Sequence, residues 1–425
     1  MFVPPLHPPK VASITPRVGW LTTASAAAAW SPSAGSGASA TNLGLYVPFE
    51  ELAQQLGGTG RAKSVWQSIR SGRSISPRDD PAVSEHARRY LKQHGIDLPA
   101  VIVHTSSAHD GTTKLLVELR EDGRRVESVI IPHFERRRTQ AEVVLDPARE
   151  ARSTLCVSSQ VGCRQACAFC ATGTRGLLRN LAASEIVAQV HLAQQLIRES
   201  STAKQGTAAN RAPALPPLSR LVFMGEGDAG ANLRNVRHAL RVLTDTQGFG
   251  MSRTSITVST VGLNPSSVLR MADLPALLAW SLHTADDALR KTLVPTATHS
   301  VAELRDAFGS AMVARSGAHQ RVLRVGITML HLINDHEHHA HGIADLLLPL
   351  QLSGDVRVRV CVDLIPYNIV TLPGFPQFDA FRPSSKERIW AFQRILRARG
   401  LTAFVRMPRG DEAHAACGQL VNEGR

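Results

Sequence analysis

Cys156-Val157-Ser158-Ser159-Gln160-Val161-Gly162-Cys163-Arg164-Gln165-Ala166-Cys167-Ala168-Phe169-Cys170 carries four of the six cysteines of this 425-residue chain. A disulfide scaffold spreads its cysteines through a small secreted chain, so clustering in a long chain points to metal or redox chemistry instead. Cys163, Cys167 and Cys170 stand in a C-x3-C-x2-C spacing in a loop rich in small residues. Four cysteines would saturate every iron of a cubane cluster, whereas three leave one iron open to a further ligand. A zinc ion held by the same thiols and a histidine such as His191 is the competing reading of the spacing alone.

Downstream, from 153 to 406, short apolar runs alternate with amphipathic stretches, the pattern of parallel βα units. Strands are expected at 153–158, 220–224, 255–259, 276–281, 322–329 and 358–365, with a further one at 402–406. Between them Ile186, Val190, Ala193 and Ile197 fall on one helical face, as do Leu233, Val236, Leu240 and Leu243. Six such repeats predict an α/β fold, a partial (β/α)6 barrel over 153–410. The polar stretch 201–217 interrupts one unit and reads as a disordered insert. In βα barrels the reactive groups collect where strands end. Here Cys163 to Cys170 follow the first strand, Gly225-Glu226-Gly227-Asp228 the second, and Asn368 the sixth. Ser259 ends the third and Ser281-Leu282-His283 the fourth.

Upstream, 43–98 reads as a small helical module with a helix ending near His94-Gly95, and 99–152 as a short antiparallel sheet turning at Asp122-Gly123. The stretch 132–152, with Arg136-Arg137-Arg138, reads as a charged loop. No acidic residue precedes Glu50, and the Ala/Ser/Pro/Gly-rich segment 1–42 reads as a transit peptide or disordered leader, plastid before mitochondrion. Without a transit function the expectation is cytoplasmic. No run of about 18 apolar residues suggests a membrane span. Forty-eight basic residues against 35 acidic give a net charge of +13, which fits a polyanionic partner. Arg61 and Lys63 of the helical module are the expected contacts to RNA phosphates.

The segment Cys156 to Cys170 resembles the RlmN/Cfr family of radical S-adenosylmethionine (SAM) RNA methyltransferases. The likeness continues in order through Arg61-Ala62-Lys63-Ser64-Val65-Trp66, Asp110-Gly111-Thr112-Thr113-Lys114, Val126-Glu127-Ser128, Ser281-Leu282-His283, Leu364-Ile365-Pro366-Tyr367-Asn368 and Ala416-Cys417-Gly418-Gln419-Leu420. It spans about residues 45–421. The resemblance implies a [4Fe–4S] cluster on Cys163, Cys167 and Cys170, and SAM bound near Gly227, Asp228, Ser259, Ser281, Leu282, His283 and Asn368. It further implies methylation of an adenine, C2 before C8, in ribosomal or transfer RNA, with two SAM consumed per turnover. Cys417, in the C-terminal loop 411–425, would accept the methyl group, Cys156 would release the product through a disulfide, and Glu127 would take a proton. A monomer served by a ferredoxin or flavodoxin is expected. One departure stands out. The family pattern Gly-Met-Gly-Glu-Pro is replaced by Gly225-Glu226-Gly227-Asp228-Ala229. That change leaves open a non-catalytic RNA-binding factor that keeps a structural cluster.

Overall fold

The computed structural model describes residues 46–70, 85, 89, 98–134, 136–138, 143–145, 151–202, 214–351, 356–407, 409–410 and 413–420. The leader, the expected helix near His94-Gly95 and most of the 201–217 insert lie outside these residues.

Helix α1 (Phe49–Gln55) starts after Pro48 with Glu50 and Glu51 in its first turn, where carboxylates complement the helix dipole. Helix α2 (Thr59–Arg70) buries Ala62, Val65, Trp66 and Ile69, a single stripe at helical spacing. Arg61 donates to the carbonyls of Leu56 and Gly57 at 3.0 and 2.8 Å, so its guanidinium caps the end of α1. Both helices belong to the same apolar core as the barrel. Trp66 meets Phe249 edge to face at 5.2 Å, and Phe49 N–H donates to Asp245 at 2.7 Å.

The strands β1 (Ala100–Ser107), β2 (Thr113–Leu119) and β3 (Arg125–His133) pair antiparallel, as their alternation predicts. They are not a separate sheet. β3 pairs with β6 (Arg152–Cys156), and β6 also pairs in parallel with β9 (Leu218–Phe223). The expected charged loop holds a two-stranded ladder, β4 (Arg136–Arg138) with β5 (Val143–Leu145). After β9 the parallel series continues through β10 (Ile256–Thr260), β11 (Leu277–Ser281), β12 (Val322–Met329), β13 (Arg359–Pro366) and β14 (Thr402–Val405). The result is one ten-stranded sheet, order β1-β2-β3-β6-β9-β10-β11-β12-β13-β14. Its parallel part has seven strands, the six of the expected repeats and the further one expected at 402–406.

Helices α3 (Ala183–Thr202), α4 (Leu233–Thr244), α5 (Pro265–Leu269), α6 (Asp287–Leu293), α7 (Val301–Val313), α8 (Glu337–Gln351) and α9 (Lys386–Ala398) lie between the parallel strands. α7 opens with a reciprocal cap between Ser300 and Glu303. One face of the strands supplies Val258, Leu278, Trp280, Val325 and Val362 to the core shared with these helices. The alternate positions carry Thr257, Ser259, Ala279, Ser281, Gly326 and Thr328. Closed βα barrels usually fill that side with bulky branched residues. Small residues here leave room inside.

Beyond β14 the chain turns back toward the β1–β2 hairpin. Gly410 N–H donates to Asp110 at 3.3 Å, Arg409 approaches Asp110 at 3.8 Å, and Lys114 donates to the His414 carbonyl at 3.4 Å. At Gly410, with φ +71°, a Cβ would fall 2.6 Å from Thr112. The tail therefore ties one edge of the sheet to the hairpin near the other.

Replacing Trp66 by Ala removes a side chain that is 1% exposed and joins the helical module to the barrel. A loss of about 3–5 kcal/mol is expected, read as a lower denaturant midpoint in a single transition. An unchanged midpoint would show that the module is not part of the cooperative core.

Candidate active site

β6 ends at Cys156, and the chain then forms β7 (Gln160–Gly162), which pairs with β8 (Leu177–Asn180) to close the three-cysteine loop at its base. Cys163 N–H donates to the Gly176 carbonyl at 2.8 Å. Gly162 sits at φ +73°, and a Cβ there would meet that carbonyl oxygen at 2.0 Å, so only glycine closes the loop this way. Cys170 N–H donates to the Cys167 carbonyl at 3.0 Å and starts a 3₁₀ turn over Ala171–Arg175. Ala168 N–H reaches the Leu293 carbonyl of α6 at 2.9 Å.

Burial pushes the Cys163 thiol up to about 12 and raises Cys167 and Cys170, and the proximity of the other cysteines adds to the rise at Cys163 and Cys167. Such a set ionises only against positive charge, which bound metal supplies. His191, the histidine considered for a zinc site, faces Tyr46 instead, its Nδ1 2.8 Å from the hydroxyl. Among the described residues no three His, Cys, Asp or Glu side chains converge as a single metal ion would require. Three soft thiols in one loop fit an iron–sulfur cluster.

Behind the loop lies a group of buried carboxylates. Glu226 is fully buried; it accepts from Glu127 N–H at 2.9 Å and Gly162 N–H at 3.3 Å, with Arg175 at 3.4 Å. Burial, then the charge of Glu127, pushes Glu226 up to about 7. Asp228 accepts from Gly230 N–H, Thr260 Oγ1 and Val261 N–H at 2.8 Å each, and from Ala231 N–H at 3.3 Å. Three of these donors meet Oδ1 and one meets Oδ2. Asp228 thus braces the end of β9 to the end of β10. Gln160 adds a second brace, accepting from Asp228 N–H at 2.9 Å and donating to Asn180 at 2.7 Å. Gly227, at φ +90°, passes so close that a Cβ would meet Gln160 at 2.5 Å. Glu127, which as a strand residue could equally have been a solvent-facing acid, is 1% exposed and pairs with Lys114 at 3.0 Å.

At the ends of β10 and β11 the hydroxyls of Ser259 and Ser281 lie 3.1 Å apart. Leu282 and His283 both donate their N–H to the Gly326 carbonyl, and the Leu282 side chain is in the core. His283 adopts φ +65°, a conformation costly for a non-glycine residue, held by Asn334 donating to its carbonyl at 2.8 Å. Its ring lies edge to face with Phe169 at 4.8 Å, and its Nδ1 accepts from Thr328 N–H at 3.3 Å. Burial and the neighbouring Arg290 hold this imidazole neutral, down to about 3. Arg290 had no sequence signal. It is 1% exposed, donates to the carbonyls of Val261, Ser281 and Leu282, and lowers the thiol of Cys167. Only the three-dimensional packing of α6 on the cysteine loop reveals it.

Cys417 lies over the same rim. Its carbonyl accepts from Asn368 Nδ2 at 3.1 Å, and the following Gly418 carbonyl from Ala171 N–H at 2.8 Å. Thr172 donates to the Leu420 carbonyl at 2.7 Å, and Gln419 to the Ile369 carbonyl at 2.9 Å. Asn368 therefore holds the Cys417 segment rather than standing open. Cys156 packs against the same tail, among Val129, Ala413, Ala415 and Leu420. Burial first, then the charge of Cys417, pushes the Cys156 thiol up to about 12. Cys417 itself is exposed in a recess whose walls, with Cys170, push its thiol up to about 11, against the pull of Arg406. Both cysteines are free thiols.

The fold and its three-cysteine rim define a radical SAM methyltransferase. A solved radical SAM methyltransferase from Sphaerobacter thermophilus superimposes with a TM-score of 0.70 at 29% identity, over 88% of this chain and 98% of that one. Two dual-specificity RNA methyltransferases named RlmN are each 34% identical: that of Oleidesulfovibrio alaskensis over 382 residues and that of Syntrophobacter fumaroxidans over 380. Each match covers 88% of this chain and 95% of the relative. The chain belongs to the RlmN family. No family model matches it.

His283 gives the site a pH signature. Its folded value lies below that of an unfolded histidine, so between about pH 6.5 and 3 the unfolded chain binds the extra proton and stability rises with pH. His283→Gln should flatten the stability profile there by up to about 1.4 kcal/mol per pH unit relative to wild type. Parallel profiles for the two proteins would mean that His283 is charged in the fold.

Proposed function

We propose that this protein methylates an adenine, at C2 before C8, in ribosomal or transfer RNA, with Cys417 as carrier of the methyl carbon. The observation that carries the reading is the placement of the Cys417 segment, tied through Asn368, Ala171 and Thr172 to the rim that holds the three-cysteine loop, with Cys156 packed beneath it. Cys163, Cys167 and Cys170 would hold a [4Fe–4S] cluster, which would supply one-electron reduction of SAM.

The remaining work falls to side chains of this chain. Cys417 first takes a methyl group from one SAM by displacement, for which its thiol must give up a proton. Arg406 favours that ionisation. After a hydrogen atom is removed from this methyl at the expense of a second SAM, the methylene radical on Cys417 adds to the adenine ring, and the ring radical so formed gives up one electron, which the cluster would take back. Glu127, poised beside Lys114, takes the ring proton. Cys156 then attacks Cys417 Sγ. The S–C bond breaks, a Cys156–Cys417 disulfide forms, and the carbon leaves with the electron pair and gains a proton. A dithiol reductant supplies the two electrons and two protons that reset the thiols, and a donor of the ferredoxin or flavodoxin class would supply the electron for SAM cleavage. The adenine must leave its stack to reach this recess, which favours unpaired loops.

Reduced wild-type protein incubated with RNA and SAM should yield 2-methyladenosine, resolved from 8-methyladenosine by nucleoside mass spectrometry. Cys156→Ala should accumulate a denaturant-resistant RNA–protein crosslink that disappears in Cys156→Ala/Cys417→Ala. Ordinary turnover by either single variant would sink the two-cysteine scheme. Absence of any methylated adenosine with wild-type protein would favour the non-catalytic factor.

A further inference from the structure

Arg220 lies on β9 and Arg406 just beyond β14, at places five strands apart in the sheet order, yet their guanidinium charges act on one another. Arg220 alternates on β9 with the core residues Leu221 and Phe223, as Asp363 does on β13 with Val362 and Leu364, so these side chains share the face of the sheet turned away from the helices. Arg324 of β12 joins them. It pairs with Asp363 of β13 at 2.5 Å, and Arg406 reaches the same carboxylate at 3.2 Å. Arg152 and Arg409 add charge from the two flanks and, with Arg220 and Arg406, depress the ionisation of the half-buried His133 after burial itself. Asp363 holds Arg324 and Arg406, and Asp110 approaches Arg409. Arg220 is exposed.

An aromatic ring lies among these cations. Phe404 is 46% exposed and stands opposite Asp363 in the β13–β14 register, while Ala403 next to it enters the core. A large apolar ring left in water beside guanidiniums offers a face on which a base can stack. The path also has a direction, because the charge of Arg406, at the end of β14, acts on the Cys417 thiol.

We propose that Arg220, Arg324 and Arg406, with Phe404 among them, form a track on this face of the sheet that holds single-stranded RNA flanking the target adenine. This rests on the RNA methyltransferase reading above. Guanidiniums suit phosphate oxygens, and Asp363 orients two of them while leaving further donors on each. A basic surface with an exposed ring admits a strand of nucleic acid.

The test is fluorescence anisotropy with a short fluorescein-labelled single-stranded RNA, over a range of salt, using full-length wild type, Arg220→Gln and Phe404→Ala. Both replaced side chains are exposed, so the fold is retained. Arg220→Gln should weaken binding several-fold and lower the slope of log Kd against log salt by about 0.7, the value for one phosphate contact on a single strand. Phe404→Ala should weaken binding about tenfold to a hundredfold with little change in slope. Wild-type affinity and slope in both variants overturn the track while leaving RNA methylation standing. Normal RNA binding with impaired reduction by an acidic electron donor also overturns it, and assigns the surface to that partner. Wild-type protein that binds no RNA overturns both readings.

Discussion

Acidic groups are concentrated at one rim of this barrel and kept out of water. Cys163, Cys167 and Cys170 lie beside Glu226 and Asp228, with Glu127 behind them. Buried groups of this kind are tolerated only when donors meet them. The chain meets them mainly with backbone N–H groups: four donors on Asp228 and two on Glu226 are backbone or a neighbouring hydroxyl. Cationic side chains supply the rest, Lys114 on Glu127, Arg175 on Glu226, and Arg290 beside Cys167. Each brace also joins two strand ends, so meeting the charges and shaping the rim are one act.

This explains how the altered Gly225–Ala229 segment is accommodated. The shorter Asp228 is a strut between β9 and β10. Glu226, where relatives of the resembling pattern carry methionine, fastens β3 to both ends of the cysteine loop through Glu127 N–H, Gly162 N–H and Arg175. The rim's polar surface also includes the paired hydroxyls of Ser259 and Ser281.

The parallel strands were legible because each is a short apolar run between helical stripes, and every expected one lies within about two residues of its place. The cysteine loop was legible by spacing. What escaped depends on pairing across distance. Nothing local in Arg125–His133 says that β3 joins the barrel through β6, and Arg136–Arg138 has no apolar period to announce its pairing with Val143–Leu145. Arg290 and Lys114 were missed as site residues because isolated cations in sequence read as solvated surface. Asn368 was recognised by motif, but its bond to the Cys417 carbonyl depends on a segment 49 residues later.

The tail that carries Cys417 follows every strand of the barrel in chain order and is held by residues from β2, the cysteine loop and the end of β13. During synthesis the three-cysteine loop and the sheet around it therefore emerge before Cys417 does. A ribosome-held chain would bind the proposed cluster while it still lacks the sulfur proposed to carry the methyl group, and assembly would be separated from reactivity by the direction of translation.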